Sequence, residues 1–236
     1  MQLPLGPDPR TQRLASLHAT LIAHFGRIVR PDDKRRDPVW TLVQGVIGAR
    51  TKTAISNANT DRLLEAYGTW EGVAAAPEEE LAEHLQTATF PALMAERLKA
   101  CLMQIIEERG QVDLRHLSNL PTEEGMEWLE TLPGVARKIS AQVVNTSMFN
   151  RRALVIDTNH RRVIQRMGLV PPKADTTRAY NALMPVLPEE WSAGDIDEHH
   201  LLVKRVGQVY CRPSMQKCDA CPMRNDCQYA ARAARG

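Results

Sequence analysis

The chain has 236 residues, of which 43% are hydrophobic and 25% charged, and its formal net charge is +2. This length allows one large domain or two small ones, whereas the small net charge excludes a global basic field, so binding to a polyanion has to come from local patches. No stretch approaches the roughly 18 apolar residues of a membrane span. Met1–Pro9 lacks the apolar run of a secretory leader, so we expect a loose tail and an intracellular, cytoplasmic protein without membrane contact.

Helical spacing of apolar residues dominates the first half of the chain. Pro77 and the three glutamates after it suit a helix N-terminus. Polar or proline-bounded breaks are predicted at Pro31–Pro38, Gly48–Thr53 and Thr87–Pro91. The predicted helices between them are Thr11–Phe25, Val39–Ile47, Ala54–Tyr67, Pro77–Leu85 and Ala92–Glu108.

The second half continues in the same way, without a convincing strand pair or an internal repeat. The fold class predicted from the whole pattern is therefore all-α. The predicted helices here are Glu123–Leu132, Ala136–Phe149, Thr158–Met167, Thr176–Leu187 and His199–Tyr210.

Cysteines crowd the end of the chain in the order Cys211-x6-Cys218-x2-Cys221-x5-Cys227. Four thiolates at such spacing suit a tetrahedral metal centre or a four-iron cluster, and spacing alone does not separate zinc from iron–sulfur. Two disulfides are the alternative, disfavoured because no secretory leader precedes the chain. The remaining cysteine, Cys101, lies in a helical apolar pattern and is predicted to be a small buried hydrophobe.

A tight turn is predicted at Leu132-Pro133-Gly134-Val135-Ala136-Arg137-Lys138, between two predicted helices. Proline fixes φ and glycine accepts a positive φ, so the next helix begins abruptly, with backbone N–H groups and a positive dipole end. Such a terminus binds phosphate without reading bases, and Arg137 adds charge. An ordinary interhelical turn is the alternative for this segment taken alone.

These features together resemble the endonuclease III branch of the helix-hairpin-helix DNA glycosylases. The resemblance spans roughly Asp37 to Tyr229. Asp157-Thr158-Asn159 and Cys221-Pro222-Met223-Arg224 also resemble the plant 5-methylcytosine glycosylases of the same superfamily. The matching pieces are the turn with Lys138, then Val155-x-Asp157-Thr158, and finally the cysteine spacing ending at Cys227.

The resemblance implies an enzyme that flips a damaged base out of double-stranded DNA and cleaves its bond to the sugar. The family's nucleophilic lysine falls on Lys138, which implies a Schiff base and a bifunctional glycosylase and abasic-site lyase. Asp157 matches the catalytic carboxylate. The alternatives are a solvated lysine and, for Asp157, a helix N-cap, which is compatible with catalysis.

The resemblance also implies residues that fill the duplex where the base leaves. Arg50 takes the place of a family glutamine, and Phe90 falls where the family inserts an apolar wedge. A solvated Arg50 and a core Phe90 are the alternatives.

By the same resemblance, the four terminal cysteines hold a 4Fe-4S cluster with a structural role. Arg212, Lys217 and Arg224 lie among them as a basic patch for phosphates, or as ordinary solubility charge. The adjacent histidines His199 and His200 are interpreted as helix packing or capping.

Two lobes are implied, a six-helix lobe over residues 31–149 and a discontinuous lobe over residues 1–30 and 150–236, with Lys138 and Asp157 facing each other across a cleft. The expected partner is double-stranded DNA with damaged bases or abasic sites, bound by a monomer that is nucleoid-associated if bacterial. Ala136, Ser140 and Asn159 depart from the family pattern. They leave the lysine chemistry intact and put the default substrate, oxidised pyrimidines, in doubt.

Two other functions fit parts of the pattern. A monofunctional glycosylase of the adenine-mismatch type shares the fold and the cluster, but Lys138 argues against it. A non-catalytic, cluster-bearing DNA-binding or redox-sensing module is the second alternative.

Overall fold

The computed structural model describes residues 8–233, and the prediction for Met1–Pro9 falls mostly on residues 1–7, outside that range. The described part is helical and contains only isolated β-bridges, so the all-α prediction is confirmed. None of the helices in residues 8–233 is long and apolar enough to cross a membrane. The α-helices are α1 (Pro9–Phe25), α2 (Pro38–Ile47), α3 (Thr53–Tyr67), α4 (Trp70–Ala75), α5 (Glu78–His84), α6 (Pro91–Arg109), α7 (Thr122–Glu130), α8 (Arg137–Thr146), α9 (Thr158–Met167), α10 (Thr176–Leu183), α11 (Ala193–Val209) and α12 (Gln228–Ala233).

The chain divides into two compact units. The central unit is Asp32–Arg151 and contains α2 to α8, with a 3₁₀ turn before α2 at Asp32–Lys34 and another between α6 and α7 at Arg115–Asn119. The terminal unit comprises the described residues 8–31 and 152–233, with α1, α9 to α12, and 3₁₀ turns at Met184–Val186 and Arg224–Asp226.

Helix α2 is the core of the central unit, because all ten of its residues are buried. Asp37 caps its start, where one carboxylate oxygen accepts from the backbone N–H groups of Val39 (2.8 Å) and Trp40 (3.2 Å). Helices α3, α6 and α8 pack around α2. This packing places the start of α8, where Lys138 lies, against the middle of α2.

In the terminal unit, α11 packs against both α1 and α9. Helix α11 begins six residues earlier than predicted, at Ala193 instead of His199. A capping box explains the earlier start. The Ser192 hydroxyl accepts from the Asp195 N–H (3.2 Å), and the Asp195 carboxylate accepts from the Ser192 N–H (2.9 Å).

Other boundaries differ from the prediction for local reasons. Helix α8 ends at Thr146 instead of Phe149, because the Met148 N–H donates to the Arg36 carbonyl (3.0 Å) and leaves the helix. Helix α10 ends at Leu183, where Pro185 imposes a 3₁₀ turn. The six-residue α4 was not predicted, so the central unit has seven α-helices, one more than expected.

Candidate active site

The turn before α8 has the conformation that its sequence predicts. The Val135 N–H donates to the Leu132 carbonyl (3.1 Å), and Gly134 has φ +79°. A β-carbon at Gly134 would lie 3.3 Å from Cδ of Arg97, a residue of α6. Only glycine therefore fits this position without strain. Ala136 is the N-cap of α8 and offers no side-chain acceptor to the first turn.

Arg137 is buried, whereas a side chain that binds a DNA phosphate is expected to be exposed to solvent. Its guanidinium pairs with two carboxylates of α7, those of Glu123 (2.9 Å) and Glu130 (2.9 Å). These pairs tie α7 to α8 on either side of the turn. Arg137 therefore supports the hairpin from within the central unit.

Lys138 follows in the first turn of α8 and is half-buried. Its Nζ donates to Oε1 of Gln142, one helical turn later, over 2.6 Å. Nε2 of Gln142 donates in turn to Oε1 of Gln44 on α2, also over 2.6 Å. The amine predicted as the nucleophile is thus held by a neutral amide.

The structure brings together the two residues predicted to fill the duplex. Arg50 has a positive φ of 56°, and its guanidinium lies 5.9 Å from the ring centre of Phe90. The Thr89 hydroxyl donates to the Arg50 carbonyl (2.9 Å), and the Thr89 N–H donates to the Thr51 hydroxyl (3.2 Å). Phe90 is 42% exposed and is therefore not a core residue. The two loops form one exposed surface that carries an arginine and an aromatic ring.

Asp157 lies in the terminal unit as the N-cap of α9. Its Oδ1 accepts from the N–H groups of Asn159 (2.9 Å) and His160 (2.8 Å), and its Oδ2 lies 3.5 Å from Nζ of Lys204. Burial alone favours the neutral acid. Attraction to His200, the His160 N–H and Lys204 outweighs burial and holds the pKa of Asp157 below its usual value. The carboxylate is therefore ionised at neutral pH.

Buried histidines pack beside Asp157. Nδ1 of His160 lies 3.2 Å from Nδ1 of His200, and the two rings stack. His199 contacts His160 and His18 through its ring and is fully buried. The interpretation of His199 and His200 as packing residues is confirmed. Burial lowers the pKa of His160 to about 3, assisted by repulsion from His200, and burial also holds the pKa of His199 well below its usual value.

The four terminal cysteines are half-buried and carry no disulfide. Arg166 of α9 contacts two of them: it donates to Sγ of Cys211 (3.2 Å), and its carbonyl lies 3.7 Å from Sγ of Cys227. Burial raises the pKa of the Cys218 and Cys221 thiols, and repulsion from the other cysteines adds to this effect. Four thiols match the donor set of a zinc or iron–sulfur centre. The side chains of residues 8–233 do not, however, form a group of three or more potential metal ligands.

Arg212, Lys217 and Arg224 are all exposed on the segment between these cysteines. Arg212 also donates to the Gln208 carbonyl (2.8 Å), and Arg224 lies 3.3 Å from the Asp219 carboxylate. Cys101 is 1% exposed, and burial raises its pKa to about 12, so its prediction as a buried hydrophobe is confirmed.

Sequence reasoning missed several residues that contact the predicted site. Gln142 follows Lys138 at the (i, i+4) spacing, a signal that was readable in the sequence. Gln44, Arg97 and Lys204 carry no such signal, because each contacts its partner within its own unit from a helix distant in the chain.

The chain is similar in sequence to known DNA repair proteins. A family model of HhH-GPD superfamily base excision DNA repair proteins matches residues 43–189. The chain is 27% identical to DNA glycosylase/AP lyase ROS1 of Arabidopsis thaliana over 224 residues, covering 88% of this chain and 15% of ROS1. It is 28% identical to endonuclease III of Thermotoga maritima over 204 residues, covering 86% of this chain and 88% of that protein. The chain thus spans only a small part of the plant relatives that it matches.

Solved structures show the same fold. An endonuclease III trapped as a covalent intermediate with DNA superposes with a TM-score of 0.77 at 23% identity, covering 95% of this chain and 99% of that chain. A thermostable thymine-DNA glycosylase superposes with a TM-score of 0.73 at 21% identity, covering 95% and 100%. The predicted helix-hairpin-helix glycosylase fold and the resemblance to endonuclease III are confirmed. Because the family model spans more than half of the sequence, the chain belongs to the HhH-GPD superfamily of base excision DNA repair proteins.

Proposed function

We propose that this protein is a bifunctional DNA glycosylase and abasic-site lyase acting on double-stranded DNA. The observation that carries the proposal is Lys138, a half-buried amine in the first turn of α8, directly after a Pro-Gly hairpin. A lyase requires an amine nucleophile that forms an imine with the sugar. The likeness to a covalently trapped endonuclease III and to the glycosylase/AP lyase ROS1 supports this assignment.

The proposed reaction begins when neutral Lys138 attacks C1′ of the flipped nucleotide. The bond between C1′ and the base breaks, and the base leaves with the electron pair and takes up a proton. The bond between C1′ and the ring oxygen O4′ then breaks, O4′ keeps the electron pair and takes up a proton, and a protonated imine joins Nζ to C1′. Loss of a C2′ proton then drives electrons toward C3′ and expels the 3′ phosphate, which nicks the strand.

Asp157 is proposed to stabilise positive charge on the sugar and to take part in the proton transfers. Its lowered pKa supports this role, because a carboxylate that stays ionised is available to a cationic sugar. Capping α9 and catalysis are compatible, since the cap uses Oδ1 and leaves Oδ2 toward Lys204.

DNA is proposed to be held at three places. The hairpin of Pro133, Gly134, Val135 and Ala136 would receive a phosphate at the start of α8. Arg50 and Phe90 would occupy the space that the flipped base leaves. The exposed Arg212, Lys217 and Arg224 would contact phosphates of the backbone. Arg137 serves the hairpin indirectly, through its two ion pairs with α7.

Cys211, Cys218, Cys221 and Cys227 are proposed to hold a 4Fe-4S cluster. The cluster would contribute folding energy to the end of the chain, because metal–thiolate bonds form only when the segment is folded. The contacts of Arg166 with Cys211 and Cys227 would connect the cluster to α9.

Oxidised pyrimidines are the proposed lesion class, by resemblance to endonuclease III. Ala136 and Asn159, which depart from the pattern of that family, leave room for a different lesion range. The exposed ring of Phe90 favours a substrate whose stacking is already weakened, because inserting the ring then costs less.

Borohydride trapping tests the proposal. Wild-type protein is incubated with duplexes that carry either thymine glycol or a plain abasic site, and reduction of the imine cross-links enzyme to DNA. We expect Lys138→Ala to abolish the cross-link, and peptide mass spectrometry of the wild-type adduct to place it on Lys138. Lys173→Ala, which removes an exposed lysine, is the matched control and should trap like wild type.

The outcomes separate the candidate functions. Equal trapping by Lys138→Ala contradicts the assignment of the nucleophile. Base release without strand cleavage or trapping indicates a monofunctional glycosylase. Binding to DNA without turnover of any lesion indicates a non-catalytic module.

A further inference from the structure

A continuous chain of hydrogen bonds runs through the central unit from Lys138 to the start of α3. Nζ of Lys138 donates to Gln142 (2.6 Å), whose Nε2 donates to Gln44 (2.6 Å). Nε2 of Gln44 donates to the Ser56 hydroxyl (2.8 Å), which donates to the Thr53 carbonyl (3.0 Å). We call Gln142, Gln44 and Ser56 the amide relay. The relay ends beside the Gly48–Thr53 break that carries Arg50.

Lysine sets the direction of the relay. An ammonium only donates, so the oxygen of the Gln142 amide has to face Lys138 and its nitrogen has to face Gln44. The same logic orients the Gln44 amide, whose nitrogen then faces Ser56. Each member has one arrangement that satisfies both of its neighbours, and this fixes the side-chain rotamers.

The relay lies in the packed interface between α2 and α8. Gln44 is 6% exposed and Ser56 is 1% exposed, while every other residue of α2 is buried as well. An apolar side chain at Gln44 would pack there without the cost of burying an amide. Buried amides of this kind need hydrogen-bond partners, and the Lys138 amine supplies one of them to Gln142.

We propose that Gln142 and Gln44 are positioning residues for Lys138. A neutral oxygen acceptor holds the amine in one place and adds no negative charge that would retain its proton. A carboxylate at Gln142 would hold the lysine equally well, but it would keep the lysine protonated and unable to attack C1′. The inference deepens the proposed function and rests on Lys138 being the nucleophile.

The test compares four variants in single-turnover trapping on a plain abasic site between pH 6 and 9. Gln142→Leu removes the acceptor, Gln142→Glu adds a charge at nearly constant shape, and Gln44→Leu breaks only the second link. Gln104→Leu is the matched control. Gln104 is a half-buried glutamine of α6 that bonds Glu108 at the same (i, i+4) spacing, away from Lys138.

We expect Gln142→Leu to slow trapping about five- to tenfold, the effect of one lost hydrogen bond, and Gln44→Leu to slow it less. Gln142→Glu should move the midpoint of the rate–pH profile up by about one unit and recover the wild-type rate at high pH. A purely structural role for Gln142 would not produce this shift. Unchanged profiles for Gln142→Leu and Gln142→Glu, equal to that of Gln104→Leu, would overturn the proposal.

A second measurement does not depend on catalysis. The rate at which a small acylating reagent labels Lys138 is followed by peptide mass spectrometry across the same pH range. Gln142→Glu should slow labelling of Lys138 at neutral pH, whereas Gln104→Leu and labelling of the exposed Lys173 should not change. If labelling responds but wild-type protein does not trap on DNA, the relay stands and the proposed lyase function fails. If labelling does not respond either, the relay proposal fails on its own.

Discussion

Asp157 is one carboxylate with two distinct sets of contacts. Oδ1 accepts two backbone N–H groups at the start of α9, and Oδ2 lies 3.5 Å from Lys204. The first set is what any N-cap aspartate makes, and Asp175 makes a similar contact at the start of α10. The contact with Lys204 distinguishes Asp157, because it helps the carboxylate to stay ionised in partly buried surroundings.

Asparagine at this position separates the two roles. We expect Asp157→Asn to keep the helix cap, since asparagine caps helices as well as aspartate does, and to lower single-turnover cleavage at least about 100-fold. Asp157→Ala should in addition lose about 1 kcal/mol of unfolding free energy. Urea unfolding and cleavage of an abasic duplex measure the two effects.

Asp175→Asn and Asp175→Ala are the matched controls, because Asp175 caps a helix of the same unit. They should reproduce the stability changes without any loss of cleavage. A wild-type cleavage rate for Asp157→Asn would contradict a catalytic role of Asp157 and leave it only the role of helix cap.

At the scale of elements, the hairpin before α8 depends on a glycine that serves two purposes. Gly134 takes a positive φ, and it leaves room for the aliphatic part of Arg97. The other two glycines of the unit with a positive φ, Gly68 and Gly110, serve only the first purpose. Gly110, for example, ends α6 with φ +78° and would face open space with a β-carbon.

The pair Gly134→Ala and Gly110→Ala tests whether the hairpin is a DNA contact. Both variants should lose roughly 1–2 kcal/mol of unfolding free energy, from alanine in the left-handed region. Only Gly134→Ala should weaken binding to a duplex with an abasic-site analogue, measured by fluorescence anisotropy. Equal affinities for both variants would contradict a phosphate contact at the hairpin.

The packing of α9 against α11 makes stability depend on pH. His160 and His199 are neutral in the folded protein, whereas in the unfolded chain they bind protons near pH 6.5. Their lowered pKa values therefore cost stability as the pH falls from 6.5 toward 3. We expect the unfolding free energy to fall by up to about 2.7 kcal/mol per pH unit from these two groups.

Urea unfolding at pH 7, 6 and 5.5 measures this slope. His199→Leu should make the slope less steep by up to about 1.4 kcal/mol per pH unit, since one group with a lowered pKa no longer titrates. His84→Gln, which changes a histidine of α5 outside the cluster, should leave the slope unchanged. The same slope for His199→Leu and wild type would show that other groups control the acid sensitivity.

At the scale of the whole molecule, the basic residues between the cysteines are convenient reporters. Arg212, Lys217 and Arg224 are exposed sites for trypsin on a segment that has few helical residues of its own. If a cluster holds this segment, removing the metal should release it, because the energy of the metal–thiolate bonds is lost.

We expect trypsin to cut after Arg212, Lys217 and Arg224 at least about tenfold faster once the metal is removed, which mass spectrometry of the fragments would show. Cleavage after Lys34, in an exposed turn of the central unit, is the internal control and should not change. Identical fragments from loaded and metal-free protein would rule out a structural cluster at these cysteines.

The fold could be predicted largely because its helices carry local signals. Asp37, Asp157 and Asp175 each stand at an N-cap, and apolar residues recur at helical spacing behind them. Helix α4 was not predicted, because six residues are too few to display the helical periodicity of apolar residues. The start of α11 was predicted too late, because Gly194 interrupts the apolar pattern there.

The candidate site was predictable only in part. Lys138 and the cysteines belong to contiguous motifs, which a sequence displays. The charge of Arg137 was predicted to face DNA, but the guanidinium instead forms ion pairs with Glu123 and Glu130. The residue spacing alone does not show which face of α7 packs against α8. Gln44 and Lys204 reach their partners only through packing of distant helices, which local patterns do not encode.

Helix α9 has the capped carboxylate at one end and the cysteines at the other. Its ten residues span about 15 Å, and a helix of this length resists both stretching and compression. Arg166, in its last turn, touches the sulfur of Cys211 and lies beside that of Cys227. Oxidation of the Cys211 or Cys227 thiol would therefore disturb contacts at the C-terminal end of α9, the helix whose N-terminus carries Asp157.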